Sequence, residues 1–356
     1  YKDKQQRVVL KKVQAEANPA EYGHTGWAST YYIYDRYSNL RYVIPPQAVE
    51  HILEGNITAF ESQGGILLTS DTTLATGSNT GNYYYLPWVE VTLPGGLTAG
   101  AGFRLFQFNL DLEDGFLARW AFYYSYDARQ RMIEKKVPGA DTVQMVYDNR
   151  DRLVLTRDGN QRENDEWSFT KYDALNRPVL SGIYTDNTRL TRESMQAYVD
   201  TNMGSTFAWY EEPGATTHGY TNQSFPDVSD TTQYLTITYY DSYTFRDTWG
   251  EDYDFDNANG INNGPNEAMV KGQVTGGKVK VLGDNTWLKS ANYYDDKYRV
   301  IQSVADHQLG EVAKTFTEYD FTGQVIKTKY MHAINESTGI SITERFEYDH
   351  AGRLLQ

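Results

Sequence analysis

A Tyr-Asp pair recurs along this chain, followed four or five residues later by Arg or Gln and then an apolar side chain. The most regular copy is Tyr348-Asp349-His350-Ala351-Gly352-Arg353-Leu354-Leu355. Tyr126-Asp127 with Arg131-Met132, Tyr147-Asp148 with Arg152-Leu153, Tyr172-Asp173 with Arg177, Tyr294-Asp295 with Arg299-Val300, and Tyr319-Asp320 with Gln324-Val325 follow the same plan. Tyr34-Asp35 with Leu40-Arg41 is a looser copy. Where two copies follow each other directly, their Tyr residues lie 21 to 29 positions apart. A unit that short cannot bury a core alone and must stack on its neighbours, so the chain is restricted to a repeat array.

The unit reads as a β-hairpin. Trp120, Phe122 and Tyr124 precede the first close copy at every second position, as do Val143, Met145 and Tyr147, and Ile342, Glu344, Phe346 and Tyr348. Period-two alternation of aromatic and branched residues marks strands. The Asp then opens a turn, because its carboxylate can accept N–H groups two residues ahead. Three residues beyond it stand Gly323, Gly352, Asn176 or Asp151, which tolerate a left-handed backbone. The spacing predicts a type I turn closed by such a residue, with Arg and an apolar residue opening the return strand. Gln130 and Tyr298 hold the same place and fit it less well, so the turn type need not be uniform. Single hairpins are marginal in water, so neighbours should pair into one continuous antiparallel sheet. The Tyr-Asp pairs themselves read as turn chemistry, and Asp127 with Arg131 as local bracing.

Composition narrows the function. Hydrophobic residues make up 40% of the chain and Tyr outnumbers Phe 30 to 14. That balance suits a sheet whose two faces are both partly wet, with Tyr supplying apolar area and a polar tip. A net charge of −14 argues against a phosphate footprint for nucleic acid. With no Cys there is no disulfide framework and no thiol chemistry. No apolar run reaches membrane-spanning length.

Three stretches interrupt the repeat and organise the chain into a first repeat block over 1–185, a helix-containing insertion over 186–230, and a second repeat block over 231–356. Within the first block, 45–115 holds a short helix at Gln47–Leu53, then Gly- and Thr-rich turns with strands near Tyr83–Thr92 and Phe103–Leu110. In 186–230, Thr191 caps a helix with Glu193 in its first turn and Met195, Tyr198 and Val199 on one side. Residues 242–272 read as an exposed acidic loop. Asp252, Asp254 and Asp256 begin a calcium-loop pattern, but Asn257 and Asn263 stand where Gly and Glu are required. His24, His51, His218, His307, His332 and His350 show no paired metal spacing, so no metal or cofactor is expected. Trp120 and Trp167 are expected to pack in repeat strands. Trp88 and Trp209, in insertions, are the residues a sugar-binding surface would use. No nucleophile elbow, phosphate loop or catalytic site is legible.

The Tyr-Asp units closely resemble the YD repeats of Rhs proteins, which are shared with teneurins and the cocoon components of insecticidal toxin complexes. The segments Tyr126–Gly139 (YDARQRMIEKKVPG), Val146–Gly159 (VYDNRDRLVLTRDG), Lys171–Tyr184 (KYDALNRPVLSGIY) and Tyr293–Val304 (YYDDKYRVIQSV) carry the resemblance, with Leu40–Pro46 and Gly219–Pro226. It implies an all-β sheet of hairpins curving into part of a hollow shell, with short helices in insertions. It implies further that the shell encloses a C-terminal toxin of the same polypeptide, in a secreted or cell-surface bacterial protein. The Tyr at 34, 126, 147, 172, 294, 319 and 348, each with its Asp, match structural repeat positions and no catalytic site. The Asp-Pro-rich cleavage motif of the family has no counterpart here, and both ends read as cut from a longer protein. The expected function is therefore a non-enzymatic shell segment, whose partners are its own toxin cargo and secretion machinery. A cell-surface adhesion or carbohydrate-binding module, with glycan as partner, is the alternative, and a glycosidase the third reading.

Overall fold

The computed structural model describes residues 1–20, 24–53, 119–257, 264–265, 267–284, 286–307, 311–335 and 338–355, with the backbone of short strands between 66 and 107. Sixteen strands form one sheet in which spatial order equals chain order. They are Leu10–Gln14, Trp27–Tyr34, Leu40–Ile44, Phe122–Tyr126, Met132–Lys136, Val143–Tyr147, Leu153–Arg157, Glu166–Tyr172, Pro178–Thr185, Tyr234–Tyr240, Val274–Lys280, Trp287–Tyr294, Val300–Asp306, Val312–Tyr319, Val325–Asn335 and Thr338–Arg345. The chain is thus an all-β antiparallel meander, with three short α-helices among the described residues. Such local connectivity follows from the hairpin unit, since each strand meets its partner after a tight turn.

Five repeat hairpins carry the same register shift at their Tyr. Tyr34 faces Leu40, Tyr126 faces Met132, Tyr172 faces Pro178, Tyr294 faces Val300 and Tyr319 faces Val325, each one residue out of step with the strand before it. This is a β-bulge, which sharpens the local twist and re-aims the side chain next to the turn.

The chain divides into two compact units. The first comprises Tyr1–Val146 with Thr156–Asn164, the second Tyr147–Leu155 with Asp165–Gln356. In the first, the helix Pro46–Leu53 buries Ala48 and Val49, and His51 packs on Trp120 at 4.5 Å between ring centroids. Trp120 lies in a helical turn just before the strand, which begins at Phe122, and not within the strand as its period-two spacing predicts. The predicted strands near Tyr83–Thr92 and Phe103–Leu110 correspond to Asn82–Tyr85, Val91–Thr92 and Arg104–Gln107. They lie outside the main sheet and pair in parallel fashion.

In the second unit the two sheet faces differ: both were expected to be partly wet, and one is dry. On one face Trp167, Phe169, Lys171, Leu180, Ile237, Tyr239, Ala291, Tyr293, Gln302, Val304 and Phe316 are buried. Ser168, Thr170, Ser181, Thr236, Thr238, Ser290, Asn292 and Ser303 alternate with them, point the other way and remain partly exposed. Register aligns these hydroxyl and amide side chains across strands: Thr170 opposite Ser181, Ser181 opposite Thr236, Asn292 opposite Ser303. The insertions dry the first face. Helix Arg192–Asn202 starts at a Thr191–Ser194 capping box and buries Met195 and Val199, as its periodicity predicts. Its Gln196 clamps the backbone of Tyr147, accepting from the N–H at 3.0 Å and donating to the carbonyl at 2.6 Å.

Residues 242–257 are no exposed loop. Tyr243, Phe245, Trp249 and Tyr253 are buried, with Phe245 stacked on Tyr239 at 4.5 Å and Tyr243 on Tyr293 at 4.8 Å. Gly276 permits this, because a Cβ there would lie 2.4 Å from the Phe245 ring. Asp247, Glu251 and Asp252 stay outside, so acidic composition disguised an amphipathic segment.

Candidate functional site

The described Tyr-Asp turns share one geometry. In Asp127, Asp148, Asp173, Asp295 and Asp349 one carboxylate oxygen accepts the backbone N–H groups two and four residues on, at 2.8–2.9 Å. The other accepts Nε of the following Arg (131, 152, 177, 299 or 353) at 2.6–2.7 Å. Asp3 with Arg7 repeats this near the start of the chain. Asp35 and Asp320 keep the backbone bonds while Asn39 and Thr322 replace the Arg contact. Burial works against the Asp127 and Asp295 carboxylates, but the bonds from Arg131 and Arg299 outweigh it and hold both below the ordinary range.

The residue three beyond the Asp has positive φ in every copy: 63° at Asp151, 61° at Asn176, 95° at Gly323 and 75° at Gly352, but also 62° at Gln130 and 61° at Tyr298. The turn is therefore uniform, a point that the residue types at this position left open. Sequence preference at that one position yields to the carboxylate that gathers the rest of the turn.

Neighbouring repeats are stitched together through the same residues. Arg152 lies 4.9 Å from the ring centre of Tyr172, Arg177 4.2 Å from Tyr240, Arg299 4.6 Å from Tyr319 and Arg7 4.8 Å from Tyr34. Each Tyr hydroxyl in turn donates to the backbone of the preceding return strand. Tyr172 reaches the Leu153 carbonyl at 2.7 Å, Tyr294 Val274 at 2.7 Å, Tyr319 Val300 at 3.0 Å and Tyr348 Val325 at 2.9 Å. The guanidinium tips also reach the next turn: Arg152 donates to Asn176 at 3.1 Å, and Arg299 to the Asp320 carbonyl at 3.0 Å. The Asp braces its own turn, the Arg ties it forward, and the Tyr ties it back. Local bracing was legible in the four-residue spacing; the forward tie was not.

One repeat escaped the sequence reading. Tyr240-Asp241 carries the register shift, with Tyr240 facing Val274, but residues 242–272 replace its turn. Asp241 takes φ +68° and receives both terminal nitrogens of Arg177, at 3.0 and 2.6 Å. The insertion after the pair removed the Arg that would have revealed it.

Under the insertions lies a second group that no sequence motif marks. Lys171 and Glu211 have fully buried side chains 3.1 Å apart. The Lys171 ammonium also donates to the Asn222 Oδ1, which accepts from the Tyr234 hydroxyl at 3.2 Å. Glu211 further accepts Thr221 Oγ1, Gln223 N, Ser224 N and Ser224 Oγ. Alternation in Trp167-Ser168-Phe169-Thr170-Lys171 already placed Lys171 on the buried face. A cavity of about 430 Å³ adjoins this group, lined by His218, Tyr234, Ile237, Lys278, Lys280 and Trp287. Burial, reinforced by the Lys171 charge, pushes His218 down to about 4.

Among the described residues no group of three His, Cys, Asp or Glu side chains is placed to hold a metal. His307 and His332 do meet, ring centres 4.7 Å apart, through strand pairing that sequence spacing does not show. Trp167 is buried, while Trp209 is half-buried with Arg150 5.0 Å from its ring centre. Trp88 lies outside the described residues. Among the described residues no helix is long and apolar enough to cross a membrane.

The sequence matches no protein-family model and no curated protein. Among solved structures, the crystal structure of TcdB2-TccC3 without its hypervariable C-terminal region is similar at TM-score 0.39 and 11% identity, over 99% of this chain and 12% of that one. TcdB2-TccC3 gives 0.39 and 11%, over 99% and 13%. TcdB2-TccC3-Cdc42 gives 0.38 and 12%, over 99% and 12%. The chain thus spans about an eighth of the length of these structures.

Proposed function

We propose that this chain is a non-enzymatic section of the wall of an exported Rhs-type shell, which holds a C-terminal toxin segment of its own polypeptide. The observation that carries this reading is the stitched turn: an Asp-Arg-Tyr device that recurs along a meander and ties successive hairpins together at Arg7, Arg152, Arg177 and Arg299. Such a device serves continuity. A strand paired on both sides leaves no open backbone for a passing chain to invade. The open face supports the same reading. Its Ser, Thr and Asn side chains offer scattered weak hydrogen bonds to an unfolded segment, without the concave apolar pocket that specific recognition uses.

The test is protection. In the full-length protein, a segment following the repeats should resist trypsin under native conditions and become cleavable once the wall is denatured. Cleavage of that segment at equal rates in the native protein and in isolation would overturn the proposal.

A further inference from the structure

We propose that Lys171 and Asn222 become joined by an intramolecular isopeptide bond, formed once per chain with Glu211 as the proton-transferring residue. Three observations carry this. The first is placement. Lys171 sits on the buried face of strand Glu166–Tyr172, in the same alternation as Trp167 and Phe169, which are 0% and 1% exposed. The second is convergence. The N–H of Glu211 donates to the Tyr172 carbonyl at 2.8 Å, fixing the carboxylate beside Lys171. The 208–212 segment also pairs with 221–224 through Ala208 N to the Gln223 carbonyl and Thr221 N to the Glu212 carbonyl, at 2.8 Å each, which brings Asn222 to the same amine. The third is the polarity of the Asn222 amide. Its oxygen points inward, between the Lys171 amine and the Tyr234 hydroxyl, while its nitrogen donates to Asp227 and to the Val228 carbonyl at 2.9 Å each.

That arrangement suits acyl transfer better than simple charge storage. A Lys ammonium has three N–H donors, and here Glu211 and Asn222 supply two acceptors. Once Glu211 has taken a proton, the neutral amine attacks Cγ of Asn222 while the Tyr234 hydroxyl stabilises the charge gathering on Oδ1. The C–Nδ2 bond breaks, and the former Lys proton passes through Glu211 to the departing nitrogen, which leaves as ammonia beside Asp227. One N–C bond forms and one breaks, with no oxidant or metal involved. The second Lys proton is released, so the chain loses one positive charge. The product is a neutral amide linking the strand to the 207–225 segment, in a protein that has no Cys to make a disulfide.

Intact-mass spectrometry of the folded chain tests this directly. The expected mass is the sequence mass less one ammonia, and tryptic digestion should yield a branched peptide joining the Lys171 and Asn222 segments. Lys171→Ala, Asn222→Ala and Glu211→Gln should each show the full mass of their own sequence. Ring closure at Asn259-Gly260 or Asn263-Gly264 also loses ammonia, but it leaves the peptides linear and persists in all three variants. A folded wild-type chain at full sequence mass, or a deficit traced only to those Asn-Gly sites, would overturn the proposal. Neither result depends on whether the variants fold.

Discussion

The same Arg position in three repeats should have very different consequences when replaced by Gln. Arg152 and Asp148 have side chains 7% and 0% exposed, and Arg152 also holds Asn176, the Trp209 carbonyl and the Tyr172 ring. Arg152→Gln leaves a buried carboxylate without its counter-charge, which costs about 3–5 kcal/mol. Arg299 is 20% exposed against 5% for Asp295, and its loss should cost about 1.5–3 kcal/mol, the range of a charged hydrogen bond. Arg353 is 79% exposed, and its replacement should leave stability unchanged within error. Urea unfolding followed by fluorescence would show the first as a midpoint shift of roughly 1–2 M for a slope of about 2.5 kcal/mol/M. Hydrogen exchange of the peptide spanning 147–157 would place the loss in that hairpin. Equal shifts for Arg152→Gln and Arg353→Gln would refute the argument that burial and forward contacts, and not the motif itself, set the value of each copy.

Tyr298→Gly should stabilise by about 0.5–1 kcal/mol by relieving the left-handed backbone, whereas Gly323→Ala should destabilise by about 1 kcal/mol; calorimetry giving the same sign for both would contradict the uniform turn. Gly276→Ala should cost about 1–3 kcal/mol or more as its methyl meets Phe245, with raised exchange in 243–253; unchanged exchange there would mean the aromatic layer is not seated on the sheet. For acid, the sign follows from His218 being neutral in the fold. Its contribution is complete above about pH 6.5 and declines as the pH falls to about 4, while Asp127 and Asp295 hold theirs to lower pH. Burial is the leading cause, with Lys171 and Lys278 adding to it and Glu211 opposing it, so the direction stands with Lys171 as an ammonium or as the amide proposed above. His218→Gln should flatten the stability profile between those values, and an unchanged slope would assign the dependence elsewhere.

The features legible in the chain alone are those that short chain distance enforces. Asp127 and Arg131 are four residues apart, so turn, brace and return strand follow from local chemistry, and so does the meander of hairpins they generate. The helix Arg192–Asn202 was legible for the same reason, since its cap and buried side lie within eleven residues. Tertiary structure alone decided which side chains meet across strands and under insertions. Arg177 and Asp241 are 64 residues apart and meet only because an insertion returns to the sheet. Tyr243, Phe245 and Trp249 read as part of a solvated acidic stretch until Gly276 supplies the hollow that receives them. Lys171 sits by alternation on a face that becomes dry only when residues 208–225 cover it. Composition averages over such placements, whereas burial is set by the one neighbour that packing brings within reach.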